Sequence, residues 1–399
     1  MAQTGFCDSR PLPDLHKKAE ERCAPLRTWA NSCPLKESRT PSEGEKLGEP
    51  KYQTEQTYRW VRRLPLSAED GIIMDYAEQN GSLHQVTGCE RKALMDCLTG
   101  LSGLQSLTEL LPGLLHRELE RAMSKMGLIC DRTFAWDVFT EMMRTQLRCA
   151  FPNADLPPPF TDAMRAILVD WLVKVHMLFH FSEETLYLAV HLLNQSLRRI
   201  KVSIASLQLL GMVCLFLAAK KEECLLPEVS ELCYLMQNAY SKAQLLRMER
   251  RVLCGLRFEL SHCPPLHFLL LTASIARCSD KVVLMARYLL ELSLLEGQCV
   301  VYLPAQLAGA AVCLARRILQ EPPTPESEAA WCIASSIHVG SEASLLSIME
   351  IMAVAAARAD SRETRATFIK FSTADTLYVS IHPGLKTAPS LYGLSSPQT

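Results

Sequence analysis

Between residues 207 and 220 the chain reads Leu207-Gln208-Leu209-Leu210-Gly211-Met212-Val213-Cys214-Leu215-Phe216-Leu217-Ala218-Ala219-Lys220. The pattern predicts a helix over about 203–222 that is apolar on nearly every side. Such a helix has no face to offer water, so other helices must surround it, and it becomes the centre of a bundle. Its neighbours in sequence supply that surround. Asp162 is the expected N-cap of a helix over 163–178, with Met164, Ile167, Leu168, Trp171, Leu172 and Val175 in one stripe. Ser182, with Glu184 and Thr185, opens a second helix over 183–198. Pro227 suits the first turn of a short helix over 227–236. Ser241 caps a fifth over 242–256, closed by Gly255 and a strand-like Arg257 to Leu260.

After Pro264-Pro265 the helical pattern starts again, over 265–277, 280–296, 304–320, 326–337 and 342–358. Two consecutive sets of about five helices predict an all-α protein of two lobes, 161–260 and 261–360. Upstream, Phe134 to Cys149 spaces Trp136, Phe139, Met143 and Leu147 helically and stops before Pro152 and Pro157-Pro158-Pro159, giving an N-terminal helix and linker over 126–160. Residues 1–70 are polar and broken by prolines, and the weaker leucine pattern of 90–126, interrupted by Gly100, Gly103, Pro112 and Gly113, allows only short helices. The whole of 1–125 is therefore expected to be a mostly disordered extension, and 361–399 a loop-like tail.

Composition narrows the function classes. The 42 basic and 43 acidic side chains leave a net charge of −1. Residues 164–320 carry 17 Lys/Arg against 12 Asp/Glu, a mild surplus with interleaved acids that is poor material for binding nucleic acid. The richest apolar run, Leu209 to Ala219, is shorter than a membrane span needs, and the first thirty residues show no apolar leader core. The 16 cysteines contain no C-x-x-C pair, so reduced thiols in a reducing compartment are expected, without a zinc site. His176 and His180 stand four apart without a following carboxylate and read as a surface pair at a helix end. No nucleophile elbow or Gly-rich phosphate loop occurs. Catalytic residues, cofactor and metal are all expected to be absent.

The run Met164-Arg165-Ala166-Ile167-Leu168-Val169-Asp170-Trp171-Leu172-Val173 resembles the opening of the cyclin box of mitotic-type cyclins. At matching spacing follow Thr185-Leu186-Tyr187-Leu188-Ala189-Val190, Leu207 to Gly211, Ala218 to Glu223, Leu226 to Val229, Leu246 to Glu249, and in the second lobe Glu291 to Leu294 and Tyr302 to Ala311. The resemblance covers about 131–380. It implies a regulatory subunit, itself not an enzyme, that binds and activates a cyclin-dependent Ser/Thr protein kinase by docking on its C-helix and activation segment, in the nucleus and/or cytoplasm. Lys220 and Glu249, with Glu222 and Glu223, match the family's kinase-binding charges. Met164, Leu168, Trp171 and Gln208 match a patch that docks Arg-x-Leu motifs of substrates and inhibitors. The plain alternatives are a helix-terminal lysine, a solvated glutamate and an ordinary core stripe, with Ile167, Leu172 and Val175 as a second apolar set serving the core.

Two positions depart from the family. Lys174 stands where an acid attracts the basic residue of the docking motif, and should repel it. Asn194 stands where an Asp pairs with Arg165, removing a charge-assisted bond from a fold-supporting pair. Both favour an alternative reading, a divergent cyclin-fold scaffold that binds partners without activating a kinase. Arg91-Lys92-Ala93-Leu94 fits the core of a degradation signal, and Thr40-Pro41 and Ser396-Pro397 fit proline-directed phosphorylation; each pattern is short enough to arise by chance.

Overall fold

The computed structural model describes residues 107–320, 334 and 342–392; the segment 1–106, most of the expected helix 326–337 and the motifs at Thr40, Arg91 and Ser396 lie outside the described residues. Every regular element among those described is helical. Two helices come first, α1 (Leu107–Lys125) and α2 (Ala135–Gln146). The first lobe holds α3 (Asp162–Phe179), α4 (Glu183–Arg199), α5 (Leu207–Glu222), α6 (Val229–Leu235) and α7 (Lys242–Gly255). The second holds α8 (Pro265–Ile275), α9 (Asp280–Ser293), α10 (Pro304–Leu319) and α11 (Glu342–Arg358), followed by the short α12 (Ala366–Lys370) and α13 (Gly384–Thr387).

The apolar run is the axis of the first lobe. Leu207 and every residue from Leu209 to Ala219 are buried, under α3, α4 and α7. By length and composition Ile204–Glu222, with mean hydropathy 1.5, would suffice to cross a membrane; here 67% of it is covered by protein, as in the core helix of a bundle. Gly211 permits the closest approach: a Cβ there would sit 2.9 Å from Leu168 Cδ1, so α3 can lie tightly on α5. Several boundaries differ from the pattern. Thr161, not Asp162, caps α3, its Oγ1 accepting from Met164 N at 3.2 Å. The short helix starts at Val229 behind a Glu228–Glu231 capping box, leaving Pro227 outside. The strand-like Arg257–Leu260 is instead a helix-terminal turn. Arg257 and Phe258 have φ of 53° and 58°, and their amides return to Cys254 O and Leu253 O.

The largest departures are at the two ends. Residues 107–125, expected within a mostly disordered extension, form α1, which runs through Pro112 and Gly113. Leu119, Ala122 and Met123 are buried in the second-lobe core together with Ala135 and Phe139 of α2. Tertiary burial thus overrides the weak local pattern. The fully buried Gln146 ties this pair down: its Oε1 accepts from Ala305 N at 3.0 Å. Ala305 N lies in the first turn of α10, whose amides have no partner within their own helix, so α2 caps α10 from a distance.

The tail is likewise not a loop. Ala366 enters the first-lobe core, and its amide donates to Asp170 Oδ1 of α3 at 2.7 Å. The next residue, Thr367, and Lys370 one turn on bind the buried Glu291 of α9 at 3.2 and 2.5 Å. The five-residue α12 therefore straps one lobe to the other.

Replacing Gln146 by Leu keeps volume and strands the Ala305 amide, which should cost about 1–3 kcal/mol. Limited proteolysis should then cut faster between α1 and α2, around 126–134. An unchanged cleavage rate and unfolding midpoint would show that α2 is not held by this bond.

Candidate partner-docking site

The site predicted from sequence centres on the C-terminal end of α5. Lys220 there reaches Glu249 of α7, Nζ to Oε1 at 2.6 Å. The lysine side chain is 40% exposed and the glutamate 11%, so the carboxylate is fixed within the lobe while the ammonium faces outward. Lys220 Nζ also sits 4.4 Å from the Phe216 ring centroid, one turn back. The exposed carbonyls of the helix terminus attract the cation as well. Leu225 and Leu226 just beyond α5, and Leu246 one turn before Glu249, are all exposed. Sequence analysis missed this apolar component, because exposed leucines carry no local signal of their own.

The two neighbouring acids separate. Glu222 keeps to the surface of α5, 3.1 Å from Lys221 Nζ. Glu223, expected with the kinase-binding charges, turns inward: one of its oxygens accepts from Ser182 N, Ser182 Oγ and Thr185 Oγ1 at 2.5–2.9 Å. These are donors at the start of α4, so Glu223 caps from a distance the helix that Ser182 was expected to open with Glu184 and Thr185.

The apolar patch divides differently from the expectation. Leu168 and Trp171 are 1% and 2% exposed and belong to the core. Met164, Ile167 and Gln208 are the partly exposed members, so Ile167 takes the outward place expected of Leu168. Spacing reveals one stripe but not which edge of it a second helix will cover, and here α5 covers Leu168 at Gly211. Lys174 lies beside this patch with its charge already engaged by Asp170 Oδ2 at 2.7 Å.

A model of the cyclin N-terminal domain matches residues 137–261, and a model of the cyclin C-terminal domain matches 263–385. The chain belongs to the cyclin family. The G2/mitotic-specific cyclin-B of Arbacia punctulata is 29% identical over 323 residues, covering 77% of this chain and 78% of that protein. The cyclin-B2 of Oryzias luzonensis is 42% identical over 163 residues, which is 41% of this chain and 42% of that relative, so the match spans less than half of its length. The X-ray structure of a viral cyclin from herpesvirus saimiri aligns at 16% identity with a TM-score of 0.48, covering 55% of this chain and 97% of that one.

In this cyclin the fold-supporting pair survives in altered form. Arg165, 3% exposed, donates from Nε to Asn194 Oδ1 at 2.7 Å and from a terminal nitrogen to Leu295 O at 3.4 Å. Both acceptors are neutral. Burial lowers the guanidinium's pKa to about 10, against the opposing pull of Asp162 and Glu296.

The histidines also stand elsewhere than expected. His180 is exposed at the end of α3, but His176 is buried, its Nε2–H donating to Ser182 O at 2.8 Å. His191 and His262 stack at 4.5 Å, and Cys149 Sγ lies 3.8 Å from His262 Nδ1, although the two residues are 113 apart in sequence. No short spacing could have announced that cluster.

Burial, with Lys370 second, pushes His176 down to about 3; burial with Arg199 and Lys221 pushes His191 to about 4, and burial holds His262 well below its ordinary range. In the unfolded chain all three take up protons near pH 6.5. Their folded pKa values lie lower, so the stability they contribute is present above pH 6.5 and lost as pH falls. Denaturant unfolding should therefore show stability declining below pH 6.5, by up to about 1.4 kcal/mol per pH unit for each histidine. A profile flat between pH 7 and 5 would contradict the neutral assignments.

Proposed function

We propose that this cyclin is the regulatory subunit of a cyclin-dependent Ser/Thr protein kinase, and that it docks through the α5–α7 end of its first lobe. The observation that carries this reading is the Lys220–Glu249 pair, a fixed carboxylate and an outward ammonium beside exposed Leu225, Leu226 and Leu246. A kinase C-helix could exchange hydrogen bonds with the charges and cover the leucines. The cyclin supplies no catalytic group in this scheme. It binds the kinase's active arrangement better than the inactive one, and the differential affinity shifts the population. The active arrangement brings the Lys–Glu pair inside the kinase and its Mg²⁺-binding residue into place. Within the family we propose the cyclin P branch for this chain, on the resemblance carried by the runs Leu186 to Leu193 and Glu222-Glu223-Cys224.

Substrate docking is the weaker half of the function. Met164, Ile167 and Gln208 offer a small apolar surface, and Lys174 puts a cation where an acid would attract the basic end of an Arg-x-Leu motif. Asp170 neutralises much of that charge, so the expected repulsion is moderate, but no attractive carboxylate takes its place.

Lys220→Ala combined with Glu249→Ala should abolish recovery of the kinase on affinity purification while the circular-dichroism spectrum stays helical. Full recovery by the double variant would sink the assignment. Recovery of an inactive kinase by the wild-type chain would favour the scaffold reading instead. In a peptide titration, Lys174→Glu should bind an Arg-x-Leu peptide several-fold more tightly than wild type. Equal affinities would show that the patch, not the charge, limits docking.

A further inference from the structure

Between the lobes, where the 149–151 segment, α3, α4, the 262–265 linker and the start of α10 meet, lies a cavity of about 70 Å³. Arg165, Asn194, Cys149, His191 and His262 all line it. We propose that this cavity is a binding site for a small free oxyanion, held by Arg165 with Asn194. This site is independent of the kinase-docking surface.

The argument begins with an uncompensated charge. Arg165 is almost wholly buried, and of its five N–H groups only those on Nε and one terminal nitrogen are used. The other terminal nitrogen and the amide nitrogen of Asn194 make no hydrogen bond among the described residues, and neither is sealed from solvent. Both contacts of the guanidinium are with neutral oxygens, and Asp162 and Glu296 act on it only from a distance. A buried cation without a contacting anion is unfavourable. A guanidinium fork matches an oxyanion's geometry, two N–H groups to two oxygens. The volume exceeds what one water requires, so a tetrahedral ion has room. Because Arg165 is 3% exposed, a free ion suits the site better than a side chain of a docked partner.

The same cavity invites a second reading. The ligand atoms of Cys149, His191 and His262 lie within 4.8 Å of one another, a set that could suit a divalent cation. The electrostatics decide against it. Arg165 shares the cavity, and burial keeps His191 and His262 neutral, with smaller contributions from Arg199 and Lys221 at His191 and from Lys221 at His262. A divalent cation here would share one cavity with the Arg165 charge, whereas an anion would offset it.

The test uses the full chain in a phosphate-free zwitterionic buffer, with inorganic phosphate as the probe and chloride matching the ionic strength. Phosphate should raise the unfolding midpoint by a few degrees with a saturable dependence, and its ³¹P resonance should broaden in the presence of protein. Asn194→Asp places a carboxylate against Arg165, and should lose both the saturable component and the broadening while remaining folded. It retains only the unsaturated stabilisation that phosphate gives any protein. An equal saturable response in wild type and Asn194→Asp would overturn the proposal, as would no saturable response in wild type. Should Asn194→Asp fail to fold, competition in the wild type decides: sulfate that relieves the ³¹P broadening supports one oxyanion site, and sulfate without effect refutes it. Stoichiometric Zn²⁺ uptake that Cys149→Ala abolishes, in a chain indifferent to phosphate, would also refute it.

Discussion

The enclosure of α5 is the constraint on which the rest of the first lobe depends. A helix with Leu, Met, Val and Phe on every side cannot stand at a surface, so α3, α4 and α7 are forced around it. That enclosure fixes two features of the candidate sites at once. It buries Leu168 and Trp171, leaving only the edge of the α3 stripe outside. It also delivers the polar end of α5 to the surface at a set height beside α7, where Lys220 meets Glu249. The core stabilises the lobe, and the position of the ion pair follows from the core.

The two lobes are joined by more than the linker around Ser261–Cys263. Two polar ties at α12 bridge them: Ala366 to Asp170 of the first lobe, and Lys370 to Glu291 of the second. Glu183 and Glu184 at the start of α4 add contacts to Arg287 and His267, at 2.8 and 3.4 Å. The consequence is mechanical. A kinase docked on the first lobe meets a platform whose orientation to the second lobe is set by α12 and by the Glu183 and Glu184 contacts as well as by chain connectivity.

How legible this was in the sequence depended on the range of the interaction. The all-round apolarity of residues 209–219 is a local signal, and it sufficed for the lobe's central helix and the all-α class. The Ser241 cap is equally local and was legible, and Gln244 completes it as a capping box. Lys220 and Glu249 were legible only through resemblance, because their bond spans 29 residues. The inward turn of Glu223 depends on donors 38 and 41 residues away, and nothing at Glu223 itself distinguishes it from Glu222. The short α12 was missed because five residues give too little periodicity to read, and α1 because Pro112 and Gly113 interrupt a helix that the second lobe then stabilises. The Asn194 substitution was legible as a loss of charge. That the loss faces a cavity could be seen only in three dimensions.

The central claim, that this cyclin meets its kinase at the α5–α7 end of the first lobe, is tested most directly by hydrogen–deuterium exchange of the full chain, alone and with a purified cyclin-dependent kinase. The account predicts slowed exchange over residues 216–226 and 242–250, with the 366–370 segment unchanged. Protection confined to the second lobe, or no protection around Lys220 and Glu249, would contradict it.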